Sequence, residues 1–322
     1  MATGTKFELK LGAATREAFG RALVELGKVN KDVVVCDADL SKSTMTTYFA
    51  KEFPERFVSC GIAEANMVAV GSGLASSGKI AFVSSFSAFL LNKGFEQLRV
   101  TAAYPNVNLK AVGTHSGISI GEDGPSQMSI EDLALACALP GFCVFSPCDE
   151  VSMTAIIHLV AEHFGPVFVR AARAKSAIVY SAGAKFSIGG STELIAGTDV
   201  TLISHGLLVA EAIRASETLE AEGISARVID MYSIKPLDRD AVERAARETG
   251  AIVVAEEHLI DSGLGARVAQ TTTETVPCVM EFVGVTKYAE SGSPDELLDK
   301  YGLRAVNIAA AARKAIARKS AR

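Results

Sequence analysis

Short β-branched runs alternate along the chain with stretches whose apolar positions recur at helical spacing. Phe19, Leu23 and Leu26 line one face of a first helix, with Thr15 read as its cap. Val33-Val34-Val35-Cys36 follows, short and branched enough for a buried strand. Residues 57–59 predict a second strand, and a helix over 63–75 runs out near Gly78, a C′ glycine. A strand at 80–84, a helix over 90–104 and a strand at 109–114 continue the alternation. Ser129-Ile130-Glu131-Asp132 has the flavour of a capping box and opens another helix. A strand at 144–146, a helix over 150–163 and a strand at 167–170 complete this half.

Residues 176–198 break the rhythm with Gly183, Gly189, Gly190 and Gly197 and few apolar runs. After them come strands at 200–204, 226–229, 252–255 and 278–283, with helices over 208–222, 238–248 and 265–275 between them. The pattern predicts an α/β protein of two doubly wound domains, each a mostly parallel sheet with helices on both faces. The first spans residues 8–178, a linker 179–197, and a smaller second domain 198–318.

Composition narrows the function classes. With 49% hydrophobic and 21% charged residues the chain builds a sizeable core. A net charge of −5 and the lack of a basic tract in the body argue against nucleic acid as a partner. The basic end, residues 313–322, reads as a solvated helix tail. No apolar run is long enough to span a membrane, and the first residues lack the apolar core of a secretory signal. The six cysteines form no C-x-x-C pair and read as small buried hydrophobes in a reducing cytoplasm. His158, His163 and His205 show no ligand spacing, so no metal site is expected within the chain.

Three stretches carry candidate chemistry. Glu64 sits at the first turn of an otherwise apolar helix, in Gly61-Ile62-Ala63-Glu64, where a carboxylate also serves as an electrostatic cap. Thr114-His115-Ser116-Gly117-Ile118-Ser119-Ile120-Gly121-Glu122-Asp123-Gly124-Pro125 follows a strand and precedes a helix, the place where open α/β sheets bind ligands. It puts a proton carrier, His115, and a carboxylate, Asp123, in one loop. Ser85-Phe86-Ser87-Ala88-Phe89 places two aromatics three apart after a strand, a pattern that ordinary core packing also produces.

Taken in this order, the three stretches resemble the C-terminal half of transketolases, in the split form where each half is its own chain. Ala14-Thr15-Arg16, Asp37-Ala38-Asp39-Leu40-Ser41-Lys42-Ser43, Glu256-Glu257-His258 and Gly263-Leu264-Gly265 match as well, as do residues 199–204 and 229–238. The resemblance covers nearly the whole chain, and Gly-Glu-Asp-Gly-Pro is its most specific piece. It implies a pyrimidine-binding domain for thiamine diphosphate followed by a transketolase C-terminal domain. Glu64 then corresponds to the glutamate that bonds a ring nitrogen of the aminopyrimidine and promotes cofactor activation, with Phe86 and Phe89 packed on that ring and Asp39 near the thiazolium. His115 is carried over as catalytic and phosphate-binding. Arg16, Ser43 and Arg173 correspond to the other groups that hold a sugar phosphate, Asp123 to a carboxylate facing donor hydroxyls, and Gln127 to a substrate-loop contact. Arg170, close by, receives no assigned role.

The chain departs from the family at two places. Ser126-Gln127 replaces a usual Thr-His, and a glutamine cannot carry a proton. Asn92 stands about where many transketolases have a tyrosine. Both bear on the identity of the sugar. The Gly-Asp-Gly start of the diphosphate and Mg²⁺ site is not found, since Glu122-Asp123-Gly124 belongs to the substrate loop. The resemblance therefore implies a partner: an N-terminal transketolase subunit holding the diphosphate and Mg²⁺, in a heterotetramer of two alpha and two beta chains. The expected reaction moves a two-carbon ketol unit from a ketose phosphate to an aldose. The beta subunit of a 2-oxo acid dehydrogenase, a deoxyxylulose-phosphate synthase-like chain and a non-catalytic scaffold remain as alternatives.

Overall fold

A computed structural model describes residues 7–321. Residues 1–6 and Arg322 lie outside the described residues, and with them part of the stretch read as lacking a signal and the last residue of the basic end.

Among the described residues, eight strands precede residue 178: β1 (Leu11–Ala14), β2 (Val33–Asp37), β3 (Phe57–Ser59), β4 (Ile80–Phe86), β5 (Leu109–Thr114), β6 (Cys143–Phe145), β7 (Val167–Arg170) and β8 (Lys175–Ala177). Six follow: β9 (Thr192–Ile195), β10 (Val200–Ser204), β11 (Ala226–Asp230), β12 (Ser233–Lys235), β13 (Ala251–Leu259) and β14 (Val279–Val285). The larger sheet has the order β12-β6-β7-β5-β4-β2-β3 and the second β14-β13-β10-β11-β9, both parallel except at one edge strand. The chain is α/β, as its alternation predicts.

Residue parity explains the double winding. Val33, Val35, Phe82, Val112 and Val169 face one side of the larger sheet, under the helices Thr15–Val29 and Glu150–Glu162. Val34, Cys36, Ala81, Val83 and Ala111 face the other, under the helices Glu64–Ser76 and Ser87–Gln97. Neighbouring residues of a strand point to opposite faces, so an unbroken apolar run is what a sheet covered on both sides requires.

Thr15 is the first residue of its helix and caps nothing; its hydroxyl accepts from the Ala172 amide at 2.8 Å, tying the helix to the end of β7. The helix after Ser129 begins at Asp132 with no side-chain cap: its N-cap position is Glu131, and Ser129, two residues earlier, bridges to Ser116 and Gly117 through its backbone. The helix read over 90–104 starts at Ser87 and loosens into a π-helical turn over Leu98–Ala103. Residues 179–197 contain β9, which joins the second sheet antiparallel to β11.

Two further features have no period strong enough to be read in advance. β12, from the second half of the chain, closes the edge of the first sheet against β6. The terminal helix Ala305–Ser320 buries Ile308, Ala309, Ala312 and Ala315. Its basic end is the exposed tail of that helix, with cations paired to surface neighbours. Arg313 pairs with Glu222 at 2.6 Å, Lys314 with Glu281 at 2.8 Å, and Lys319 donates to the Thr249 carbonyl at 2.9 Å. No helix among the described residues is long and apolar enough to cross a membrane.

Candidate active site

In the larger sheet the chain passes from β2 to β3 on one side and then to β4 on the other, so the winding reverses at β2. Ligands of open α/β sheets bind outside the carboxyl ends of strands at such a reversal. The candidate residues leave the sheet there: Asp39 after β2, Glu64 after β3, Phe86 at the end of β4, His115 after β5 and Arg173 after β7. Arg16 arrives from a different direction. β1 pairs antiparallel with β8, and the Arg16 amide donates to the Ala172 carbonyl at 3.4 Å, which brings both arginines to one edge.

Glu64 is 2% exposed. The Ser85 hydroxyl donates to its Oε1 at 3.2 Å, while its Oε2 lies 3.6 Å from the Lys93 ammonium. Lys93 also sits 4.3 Å from the centre of the Phe89 ring. Phe86 and Phe89 are stacked, with centroids 5.5 Å apart and planes 16° from parallel. Buried carboxylate and aromatic face thus meet at Ser85 and Phe86, adjacent residues of one strand end.

His115 has a left-handed backbone, φ 59°, and is 2% exposed. Its Nε2 lies 3.4 Å from a guanidinium nitrogen of Arg16, which can only donate. Nε2 therefore accepts, and Nδ1–H donates to the Thr114 hydroxyl at 2.9 Å. Thr114 in turn donates to the Ser85 carbonyl at 3.4 Å. Burial first, then Arg16 and Arg173, push the His115 pKa down to about 3. The imidazole is consequently uncharged at neutral pH, and the positive charge of this corner belongs to the two arginines.

Arg16 donates to the Ser43 carbonyl at 2.7 Å, so Ser43 meets it through its backbone. Arg173 donates to the Ile120 carbonyl at 2.5 Å and to Glu122 at 2.8 Å. The segment carrying Asp39 and Ser43 hangs on Asp37, which accepts from the Leu40 amide at 2.6 Å and from the hydroxyls of Thr44 and Thr46 at 2.7 and 2.9 Å. Asp39 itself is exposed, at φ 65°, as is Asp123. Gln127 accepts from the Ser126 hydroxyl at 2.7 Å, and Asn92 donates to Glu131 at 3.1 Å.

Arg170 lies outside this group. It is buried between the two sheets, donating to Asp132 at 2.8 Å and to the carbonyls of Ser129 and Glu257 at 3.1 and 2.9 Å. Asp132 also accepts from Ser87 at 2.8 Å. Burial alone would raise the Asp132 carboxyl; Arg170, and after it His258, outweigh this and hold it below its ordinary range. The network was invisible in the sequence, apart from Glu256-Glu257-His258 closing an apolar strand with charge. There Glu256 accepts from the amides of Leu264 and Gly265 at 2.7 and 2.8 Å, and a side chain at Gly263 would collide with its carboxylate. Among the described residues no group of three His, Cys, Asp or Glu is placed to hold a metal ion.

Comparison with known proteins identifies the family and the fold. The family model "Transketolase, pyrimidine binding domain" matches residues 12–177 and "Transketolase, C-terminal domain" residues 190–308. Transketolase-like protein 2 of Mus musculus is 43% identical over 313 residues, 95% of this chain and 50% of that protein. The chain thus spans about half the length of such relatives. The 6-deoxy-6-sulfo-D-fructose transketolase subunit SqwH of Clostridium sp. (strain MSTE9) is 36% identical over 98% of this chain and 99% of that one. A solved structure of a split-gene transketolase, described as an inactive beta4 tetramer, superposes with a TM-score of 0.90 at 47% identity, over 96% of this chain and 100% of that one.

Proposed function

This chain belongs to the transketolase family, and we propose that it is the C-terminal, beta subunit of a thiamine diphosphate-dependent transketolase that works only with an N-terminal partner chain. The observation that carries the reading is the placement of Glu64: a buried carboxylate with one oxygen satisfied by Ser85, beside the stacked rings of Phe86 and Phe89. The second oxygen has the Lys93 ammonium at 3.6 Å, beyond good hydrogen-bond reach, and so retains capacity for a further donor.

These residues fit the aminopyrimidine end of thiamine diphosphate. Glu64 would accept from a ring nitrogen, and the Phe86–Phe89 face would cover the ring. When bound, the cofactor supplies the electron sink for breaking and making a carbon–carbon bond. The chain's own part is to orient the ring, hold a proton at Glu64 and exclude water. Arg16 and Arg173, with the Ser43 segment and His115, would clamp the anionic end of the donor, and Asp123 and Gln127 its hydroxyl-bearing part.

The diphosphate and Mg²⁺ are assigned mainly to the partner, in an assembly of two chains of each kind. A similar chain described as inactive when assembled as a beta4 tetramer supports this division. The donor is a ketose with an anionic terminus. A phosphate is the first expectation, and the SqwH relative adds a sulfonate as the second candidate. The test is to co-purify this chain with its N-terminal partner and measure two-carbon transfer from xylulose 5-phosphate, and separately from 6-deoxy-6-sulfofructose, to an aldose phosphate. Transfer from either donor that requires both chains is the expected result. No transfer from either, by a complex that binds cofactor, would contradict the reading.

A further inference from the structure

The glycines of the substrate loop are explained by the other domain. Gly117, Gly121 and Gly124 all have positive φ, of 79°, 85° and 83°. Each faces residues from beyond position 250. A side chain at Gly117 would collide with the Glu257 carboxylate. At Gly121 it would meet Pro294 at 3.0 Å and the Gly292 carbonyl at 3.2 Å, and at Gly124 the Ser291 hydroxyl at 2.5 Å. The C-terminal domain therefore packs directly on the loop backbone at three successive points.

One of these contacts is a directed bond. Glu257, 4% exposed at the end of β13, accepts from the Ser119 amide at 2.5 Å through Oε1. Its own carbonyl accepts from Arg170, the last residue of β7, which also donates to Asp132. Next to it the Leu259 amide donates to the Ile130 carbonyl at 2.9 Å. The loop segment so held lies directly before Arg173's acceptors, Ile120 and Glu122.

We propose that the C-terminal domain is the template that sets the substrate loop, residues 115–127, with Glu257 as a positioning residue for donor-sugar binding. The proposal rests on the reading of that loop as donor-binding. Holding one buried amide by a carboxylate fixes the path of the backbone between His115 and Asp123, the two side chains that must face the same sugar. The domain acts through the loop and touches no reacting atom.

Two variants separate positioning from mere stability. Glu257→Met fills the space without an acceptor, and Glu257→Gln keeps the acceptor oxygen without the charge. In the full chain, amide hydrogen exchange across residues 115–127 should quicken at least about tenfold in Glu257→Met, which loses the acceptor, and clearly less in Glu257→Gln, which loses only its charge. In the complex with its partner, Glu257→Met should raise the donor KM about tenfold with kcat and cofactor affinity unchanged. Wild-type exchange in a folded Glu257→Met chain overturns the template, as does faster exchange with an unchanged KM. A wild-type complex that transfers no ketol unit would count against the function proposed above, while the exchange experiment would still decide whether Glu257 holds the loop.

Discussion

The Phe86 ring lies on the imidazole of His115, with centroids 3.8 Å apart and planes 23° from parallel. That stacking seals a ring whose two nitrogens are already committed, one to Arg16 and one to Thr114. It also joins the aromatic face proposed for the cofactor to the cationic corner proposed for the donor's anion. The two halves of the site share a wall.

An uncharged His115 follows from this burial, which pushes its pKa down to about 3. Since the unfolded chain takes up a proton near the ordinary histidine value and the folded chain does not, stability is intact above about pH 6.5 and is lost as pH falls from there toward 3. An imidazole NMR titration should show the His115 resonance without a midpoint between about pH 8 and pH 4. The His115→Gln variant should lose that silent resonance and part of the acid sensitivity.

Arg173 donates to an exposed glutamate and a carbonyl, so its removal leaves little buried charge behind. Arg173→Met should leave the fold and cofactor affinity alone. It should raise the KM for an anionic donor by roughly 10- to 100-fold, as expected for one or two charged hydrogen bonds. Steady-state kinetics with the partner chain present provide the check.

Much of this was legible in the chain and some was not, for physical reasons. The runs around Val33, Ile80 and Leu109 announce strands covered on both faces, because such strands need apolar residues at every position. Glu64, Phe86 and His115 stand out because Glu64 opens an apolar helix, Phe86 closes a strand and His115 follows one directly. Arg170 could not be assigned, since its partners Asp132 and Glu257 lie 38 and 87 positions away and no local period links them. Thr15 and Ser129 look like caps in a sequence, but the Thr15 hydroxyl is taken by the Ala172 amide and Ser129 lies two residues ahead of the actual N-cap position, Glu131. The edge strand β12 is three residues long and is defined by the sheet it joins.

Arg170→Met should be among the most damaging substitutions away from the site. It leaves Asp132 buried with its main counter-charge gone, a situation that costs about 3–5 kcal/mol. Urea denaturation should show this loss. The double variant with Asp132→Leu should recover a large part of it, because two apolar groups replace a broken pair.

Asp230 is buried at the end of β11, accepting from the Tyr180 hydroxyl at 2.7 Å through Oδ2. Burial raises its pKa to about 7. Here the folded chain binds the extra proton, so stability falls as pH rises from about 3.8 to 7 and then levels off. Asp230→Asn cannot ionise and keeps an acceptor for Tyr180. Thermal unfolding should therefore place it above wild type at pH 8 by more than at pH 4; an equal offset at both would rule out the shifted carboxyl.

The central claim is that Glu64 serves the cofactor and not merely the start of its helix. It is tested most directly by the kcat for two-carbon transfer of the reconstituted complex carrying Glu64→Gln, measured at saturating thiamine diphosphate. Glu64→Gln should lower it at least about 100-fold, the range expected when a positioned proton-transfer group is lost, with the complex assembled and the thermal midpoint near wild type. A Glu64→Gln complex that turns over at the wild-type rate would contradict it.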